Sequence, residues 1–583
     1  MEWFAPIAGI LSQIAFFGLI IWIVVRVLGS GEPRGSPGHQ VVSVRRLFVY
    51  GLLFATLILA AVGTTFVVQE LTGSTSDDRD EGRSTLALGL AFVIVAGPAF
   101  VLLLRQVLGR LRESASERRS IAWAAYLNLS LSIPLIVTIV TSQQLLEEAA
   151  GVDDFGVESL APVMVWGGVW ATHWFWLKAR FGLPGDFHLA IGSLAGLATL
   201  AIGAGGLAFV AGDEIYRRLV DAVPASHVDP EPRIWAIASV IGAGVWAWHW
   251  LGHYLRAERT ELWHVYVVLL GALGGLVGAV VSAATIGYRT AVWYIGDPHA
   301  TIAAEHFEFA PVAAAVLVVG AAAWWYHRLV LHRREGSRTE ALRAYDYLMA
   351  GAGLVATVVA ATLVLVSLLE LVTPEPEGVE SSIANQLILA GVLAVIGAPL
   401  WRVVWSRIQR LRNTDPAAEL RSTVRRIHSI VVFGVGGIVV LVSLIAVLFI
   451  GIEDLLDGRF GSETLRSCRV PLALVVTTTG VTWYHLGVFR SDRDELAEIR
   501  PTPRSFPVSS PVHLLVVAPR GASVGTDLAF ATGADVDSWY RTDETAVPSV
   551  DVDELAAEIR ATDARKLIVL VDRDGTRVVP VEP

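Results

Sequence analysis

Residues 234–256 read IWAIASVIGAGVWAWHWLGHYLR, an apolar run that meets no acidic or basic residue except its histidines until Arg256. A helix rises about 1.5 Å per residue, so roughly 20 mostly apolar residues cross the hydrocarbon core of a bilayer. Twelve similar runs fall near 5–27, 46–69, 85–107, 121–144, 160–181, 187–211, 262–287, 309–331, 345–371, 383–406, 428–452 and 469–490. With 54% hydrophobic and 17% charged residues, the chain reads as an integral membrane protein whose helices face lipid. The first run has Glu2 ahead of it and Arg26 behind it, the wrong charge order for a secretory leader, and is read as a span.

The runs arrange themselves as one helix followed by six helical hairpins. The expected organisation is an N-terminal helix with a cytoplasmic linker (1–43), hairpins at 44–113, 118–182, 186–257, 258–336, 339–413 and 420–497, a proline-rich linker (498–511) and a soluble domain (512–583). The fold class is therefore an all-α polytopic transmembrane protein of 13 helices with a small C-terminal α/β cytoplasmic domain. In the tail, 512–518 and 566–571 read as strands, 551–561 as a helix, and Asp574-Gly575 as a hairpin turn toward 578–581. Gly521 to Gly525 spells G-x-S-x-G, but too little chain remains for a hydrolase sheet, so it reads as a glycine-rich turn.

Basic residues set the orientation, because positive loops stay in the cytoplasm. Arg105, Arg110, Arg112, Arg118, Arg119, Arg407, Arg410, Arg425 and Arg426 follow odd-numbered helices, while Asp77, Asp78, Asp80, Glu147, Glu148, Asp153 and Asp154 follow even-numbered ones. This predicts a cell-membrane protein with its N-terminus outside and its C-terminus in the cytoplasm. The net charge of −10 then sums two oppositely charged faces and gives no support to nucleic-acid binding. Only Lys178 and Lys566 are lysines, a bias that fits a GC-rich prokaryotic genome. A single cysteine, Cys468, excludes an internal disulfide and a multi-cysteine metal site.

Each hairpin carries parts of one signature. Its first helix opens on R-x-[FYH]-x-Y, as in Arg46, Phe48, Tyr50 and Arg343, Tyr345, Tyr347, with His188, His264 and His428 at the aromatic position elsewhere. Its second helix ends on W-x-x-H: Trp170 to His173, Trp246 to His249 and Trp324 to His327, with Trp174 and Trp250 following the first two. The sixth hairpin has Trp483 and His485; the fifth has Trp401 but Val404 in the histidine's place; the first has Phe100 and Leu103. This repeated signature resembles a family of prokaryotic multi-pass membrane proteins known only as a domain of unknown function, over residues 44–497. The resemblance implies a helical-hairpin membrane fold and no substrate, cofactor or catalytic residue.

Tryptophan, histidine and arginine at helix ends anchor spans at the headgroup level, and that is the plainest reading of the signature. A second reading starts from spacing: His173 and His188, like His249 and His264, stand 15 residues apart across a turn, where paired imidazoles could hold a metal or a haem. A third is pH sensing or anionic-lipid binding by the histidines and arginines. The candidate binding residues are accordingly His173, His188, His249, His264, His327, His428 and His485.

The helix centres hold no ionisable group for ion coupling; their deepest polar residues are Gln13, Asn128, Ser193, Ser282 and Thr477 to Thr479. Glycines four apart, Gly192 and Gly196, Gly271 and Gly275, Gly274 and Gly278, predict close helix packing. The leading functional expectation is a non-enzymatic scaffold or subunit of a membrane assembly, with no cofactor, that meets lipid and a partner through 512–583. Its alternatives are a transporter or channel for a neutral or lipid-like solute, lined by Asn128, Ser193 or Ser282, and a histidine-based metal or haem redox protein.

Overall fold

The structure is a computed structural model describing residues 37–73, 79–182, 185–220, 231–332, 339–373, 382–499, 513–519, 524–541, 550–562, 564, 566–572 and 575–581. The run 5–27, the linker stretch 500–511 and the turn residues 521–523 lie outside them. The long helices are α1 (Pro37–Gly73), α2 (Arg79–Glu113), α3 (Ile121–Ala149), α4 (160–181), α5 (Phe187–Leu219), α6 (Pro232–Arg256), α7 (Glu261–Ile295), α8 (Ala310–His332), α9 (Glu340–Leu371), α10 (Ile383–Thr414), α11 (Thr423–Leu456) and α12 (Arg469–Ile499). Among the described residues, eleven helices are long and apolar enough to cross a membrane. α4 is not one of them, because Trp166, Trp170, His173, Trp174 and Trp176 make it less apolar than its neighbours.

Consecutive helices pair antiparallel, and the glycines show it. Gly63 of α1 meets Phe92 of α2, Gly203 of α5 meets Ser239 of α6, Gly275 of α7 meets Gly320 and Trp324 of α8, and Gly353 of α9 meets Trp401 of α10. Five buried or half-buried threonine hydroxyls bond within their own helices. Thr56, Thr65, Thr138, Thr362 and Thr477 each donate to the carbonyl four residues back, and Thr477 also meets Thr362 across α9 and α12 at 2.9 Å. A hydroxyl that meets its own backbone costs little in a medium without water.

The main apolar core lies toward one end of the bundle. Tyr50, Trp123, Tyr126, Trp174, Trp250, Tyr254, Trp263, Tyr266 and Tyr345 come from six different helices and cluster there. Farther along the helices, large apolar residues such as Ile94, Val240, Val281 and Leu441 are exposed on the surface. Lipid can cover those, whereas aromatic rings with polar tips need partners.

At this same end, polar contacts join successive pairs. Arg46 Nε lies 2.8 Å from Glu117 Oε2, and Tyr50 donates to Glu117 Oε1 at 3.2 Å, linking the start of α1 to the short turn before α3. Asp186 plays the same part before α5, accepting from Tyr254 at 3.1 Å and from Thr260. Arg425 of α11 donates to Tyr347 of α9 at 2.9 Å. Arg46, Tyr50 and Tyr347 of the opening signature thus act as latches between pairs.

The chain divides into two compact units, and the second comprises 412–422 and 483–583. It holds a four-stranded sheet of order β2-β1-β3-β4, from β1 (His513–Ala518), β2 (Asp535–Tyr540), β3 (Lys566–Asp572) and β4 (Gly575–Pro580). β1 pairs parallel with β2 and β3, and β4 returns antiparallel along β3. Helices α13 (Val524–Thr532) and α14 (Val552–Ala561) join the parallel strands. Leu514, Val516, Leu528, Leu555, Ile559, Leu567 and Val569 form its core. Asp551 caps α14 by accepting from the amides of Asp553 and Glu554. α13 and β2 carry too weak an apolar alternation to be read from sequence.

Glu117 is the test of the latch. Glu117→Gln removes the charge that Arg46 and Tyr50 share while leaving both in place, a loss of about 1–3 kcal/mol. Thermal unfolding of the purified protein should fall by several degrees, and Arg46→Ala in the Gln background should add little further loss.

Candidate functional site

The W-x-x-H ends do not form a solvent-facing belt of histidines. His173, His188, His249, His327 and His485 are all buried, His188 and His327 completely. His264 and His428 are half-buried. The residues beside them that do face outward are Phe175, Trp176, Trp248, Trp325 and Trp483.

Two of the signature histidines, His249 and His327, fill a hole in the helix opposite. A methyl group at Gly192 of α5 would overlap the His249 ring, and one at Gly271 of α7 would overlap His327. One turn along, Gly196 and Gly275 lie against the backbones of Trp246 and Trp324. The four-residue glycine spacing therefore matches the three-residue Trp-to-His spacing on the partner helix. α9 and α10 show the complement: Gly353 receives Trp401, and where Val404 replaces histidine, the buried Met349 stands four residues before Gly353 in place of a glycine.

The ring nitrogens follow one rule. His173, His249 and His327 each direct Nδ1 to the carbonyl four residues back, at Val169, Val245 and Ala323, over 2.8–2.9 Å. A carbonyl only accepts, so Nδ1 carries the proton and Nε2 offers its lone pair across the helix pair. His173 Nε2 accepts from the Tyr126 hydroxyl at 3.0 Å. The Nε2 atoms of His249 and His327 are buried with no hydrogen-bond partner among the described residues. Opposite His327 stands Tyr266, ring to ring at 5.6 Å, and opposite His249 stands His188, at 5.1 Å.

The tryptophans tie one pair to the next. Trp246 Nε1 donates to Tyr266 at 3.0 Å, Trp324 Nε1 to Tyr345 at 2.8 Å and Trp250 Nε1 to Tyr326 at 2.8 Å. Trp170 Nε1 has no such partner, and the residue twenty on, where Tyr266 stands relative to Trp246, is Ala190. Around the two W-x-x-H-W sequences the helix widens into π turns, at His173–Lys178 and Ala247–Leu251, and α7 carries another at Tyr266–Leu273. Such turns cluster at functional positions.

The structure brings the candidate residues together differently from their spacing. His188 meets His249 across the α5–α6 pair, and His173 meets Tyr126 across α3–α4, each within one helix pair and not across the connecting turn. The signal that could have found this is the glycine four residues after the opening ring, which marks the imidazole's seat. Among the described residues no three or more His, Cys, Asp or Glu side chains gather as a metal site.

The polar residues expected to line a path are likewise consumed by packing. Asn128 donates to Ala124 O and accepts from His188 N, both at 2.8 Å, while Ser193 and Ser282 are buried between helices. Where the helices part, the surface is carbon. A groove of about 690 Å³ runs between α5, α7 and α8, lined among others by Leu194, Ile202, Phe209, Trp235, Leu270 and Val316.

The seat of the ring is measurable. Gly192→Ala should destabilise the protein by about 1–3 kcal/mol, read as a lower melting temperature, because the new methyl displaces His249. In Gly192→Ala/His249→Ala the second change should restore part of the loss, a non-additivity read from the full double-mutant cycle.

The family model described as Domain of unknown function (DUF5671) matches residues 46–171 and again residues 343–480. The first match spans α1 to α3 and most of α4, the second α9 to α11 and part of α12, and the intervening α5–α8 carry the two glycine-seated histidines outside both. No curated protein and no solved structure matches the chain. Two four-helix stretches of this membrane protein thus match the family of unknown function DUF5671, one on either side of the segment in which the two imidazoles meet.

Proposed function

We propose that the protein is a non-enzymatic scaffold or subunit of a plasma-membrane assembly, with its C-terminal domain in the cytoplasm as the contact point. The observation that carries this reading is that deep polar groups such as Asn128, Ser193 and the threonines are held in helix packing instead of facing a path. The soluble sheet supports it: β2 pairs only with β1, and its Trp539 and Tyr540 are 64% and 55% exposed. An edge strand with exposed aromatics is a surface for strand addition. The six-hairpin organisation is kept as part of this reading, supported by the repeated glycine seats.

Affinity purification in mild detergent should recover a stoichiometric partner from wild type and not from Trp539→Ala/Tyr540→Ala. External protease on intact cells should spare residues 512–583. Recovery of the chain alone, or cleavage of the tail from outside, overturns the reading.

The groove favours a second reading, binding or movement of a lipid-like solute. An added side chain at Gly205 would meet open space, and one at Gly278 only Val316 at 3.5 Å. Gly205→Leu and Gly278→Leu should therefore fold normally, yet reduce photo-crosslinking by a diazirine-bearing acyl chain by severalfold. Unchanged crosslinking at the groove residues sinks this alternative.

A further inference from the structure

Arg46, Arg343 and Arg407 each meet a carboxylate near a helix end, at Glu117, Glu340 and Asp346. The ends of α4 and α6 differ. Lys178 and Arg180 close α4 and Arg256 closes α6, and none of the three has a carboxylate partner among the described residues. Only Lys178 and Lys566 in the chain are lysines, and Lys566 lies in the soluble sheet, so Lys178 is the one lysine of the membrane helices.

The Lys178 ammonium lies 3.2 Å from the ring centre of Trp174. An indole face answers for one of its three N–H donors, and the others need acceptors. Around it lies an aromatic patch drawn from both helices. Trp248 of α6 stands 6.2 Å from Trp174 and 6.1 Å from Phe175, ring centre to ring centre. His253 packs on Trp174 at 4.9 Å and on Trp248 at 5.3 Å. Phe175 and Trp248 are 58% and 41% exposed, whereas His173 and His249, which the sequence offers as lipid ligands, are buried. Exposed rings at a helix end settle where headgroups meet tails, and a half-buried lysine stem brings its charge to the same level.

We propose that Lys178, on the Trp174 indole, holds the phosphate of an anionic phospholipid whose acyl chains lie along Phe175 and Trp248. Charge selects the headgroup. Lys178, Arg180 and Arg256 favour a lipid of net negative charge. A zwitterionic lipid would bring a quaternary ammonium among these cations, and the indole face that attracts such a group already carries Lys178. A soluble phosphate would meet the same ammonium but gain nothing from the exposed rings. Lys178, Trp174, Phe175 and Trp248 take no part in lining the groove between α5, α7 and α8, so the site stands apart from both readings above.

Native mass spectrometry of the purified full-length protein, in micelles holding equal amounts of phosphatidylglycerol and phosphatidylcholine, tests the proposal. Wild type retains phosphatidylglycerol about fivefold over phosphatidylcholine, Lys178→Gln loses that preference and Lys178→Arg keeps it. Arg328→Gln, which removes a cation from the Trp324 ring of α8, leaves the preference unchanged. A second measurement needs no variant: acetylation of Lys178 by an amine reagent, read by peptide mass against Lys566, slows severalfold in phosphatidylglycerol and not in phosphatidylcholine. Equal retention of the two lipids by wild type, or equal loss of preference in Arg328→Gln, overturns the proposal. Protection of Lys178 by glycerol 3-phosphate as strong as by the lipid overturns it too, because the ligand is then a soluble phosphate.

Discussion

The fit of a ring into a glycine gap is the contact on which the bundle depends. Lipid tails are as apolar as leucine, so burying more leucine between helices gains little, and close packing has to supply the attraction. Gly192 and Gly271 let the helices approach until an imidazole sits against them, and Gly196 and Gly275 until helix backbones meet. Tryptophan then donates to the next pair's tyrosine, so each filled gap also sets the register of its neighbour. Glycine, histidine, tryptophan and tyrosine act together as one device.

That device explains why histidine recurs without implying a shared chemical task. The Nδ1 bond to the carbonyl four residues back consumes one nitrogen and orients the other, whichever helix carries it. What faces Nε2 then decides its character. Tyr126 donates to His173, whereas His188 meets His249 ring edge to ring face. The same packing rule yields a hydrogen-bonded contact in one place and an edge-to-face imidazole contact in another. The difference is a single residue on the opposing helix, within the segment between the two family matches.

Polar atoms elsewhere obey the demand that low-dielectric surroundings impose. Threonines bond to their own helices, Asn128 bonds in both directions, and Arg46, Tyr50 and Glu117 neutralise one another where pairs join. The second unit solves a different problem. The core of its sheet is formed by alternating strand residues and two helices, as water-exposed α/β sheets require.

Composition and the length of the apolar runs settled by themselves that this is a helical membrane protein, because crossing hydrocarbon demands a stretch of that length and polarity. The strands 513–518 and 566–572 and the capped helix after Asp551 were equally legible, since alternation and capping are local. The four-residue glycine spacing announced close packing, but not what would fill the gaps. Spacing along the chain pointed to His173 with His188, while the fold joined His188 to His249, 61 residues away in sequence. Glu117, the partner of the Arg46 and Tyr50 latch, carried no signal in its neighbourhood at all. Which rings meet and which nitrogen stays open depend on how two antiparallel helices align, and that alignment is set by steric fit across the pair, not by any property of one strand of sequence.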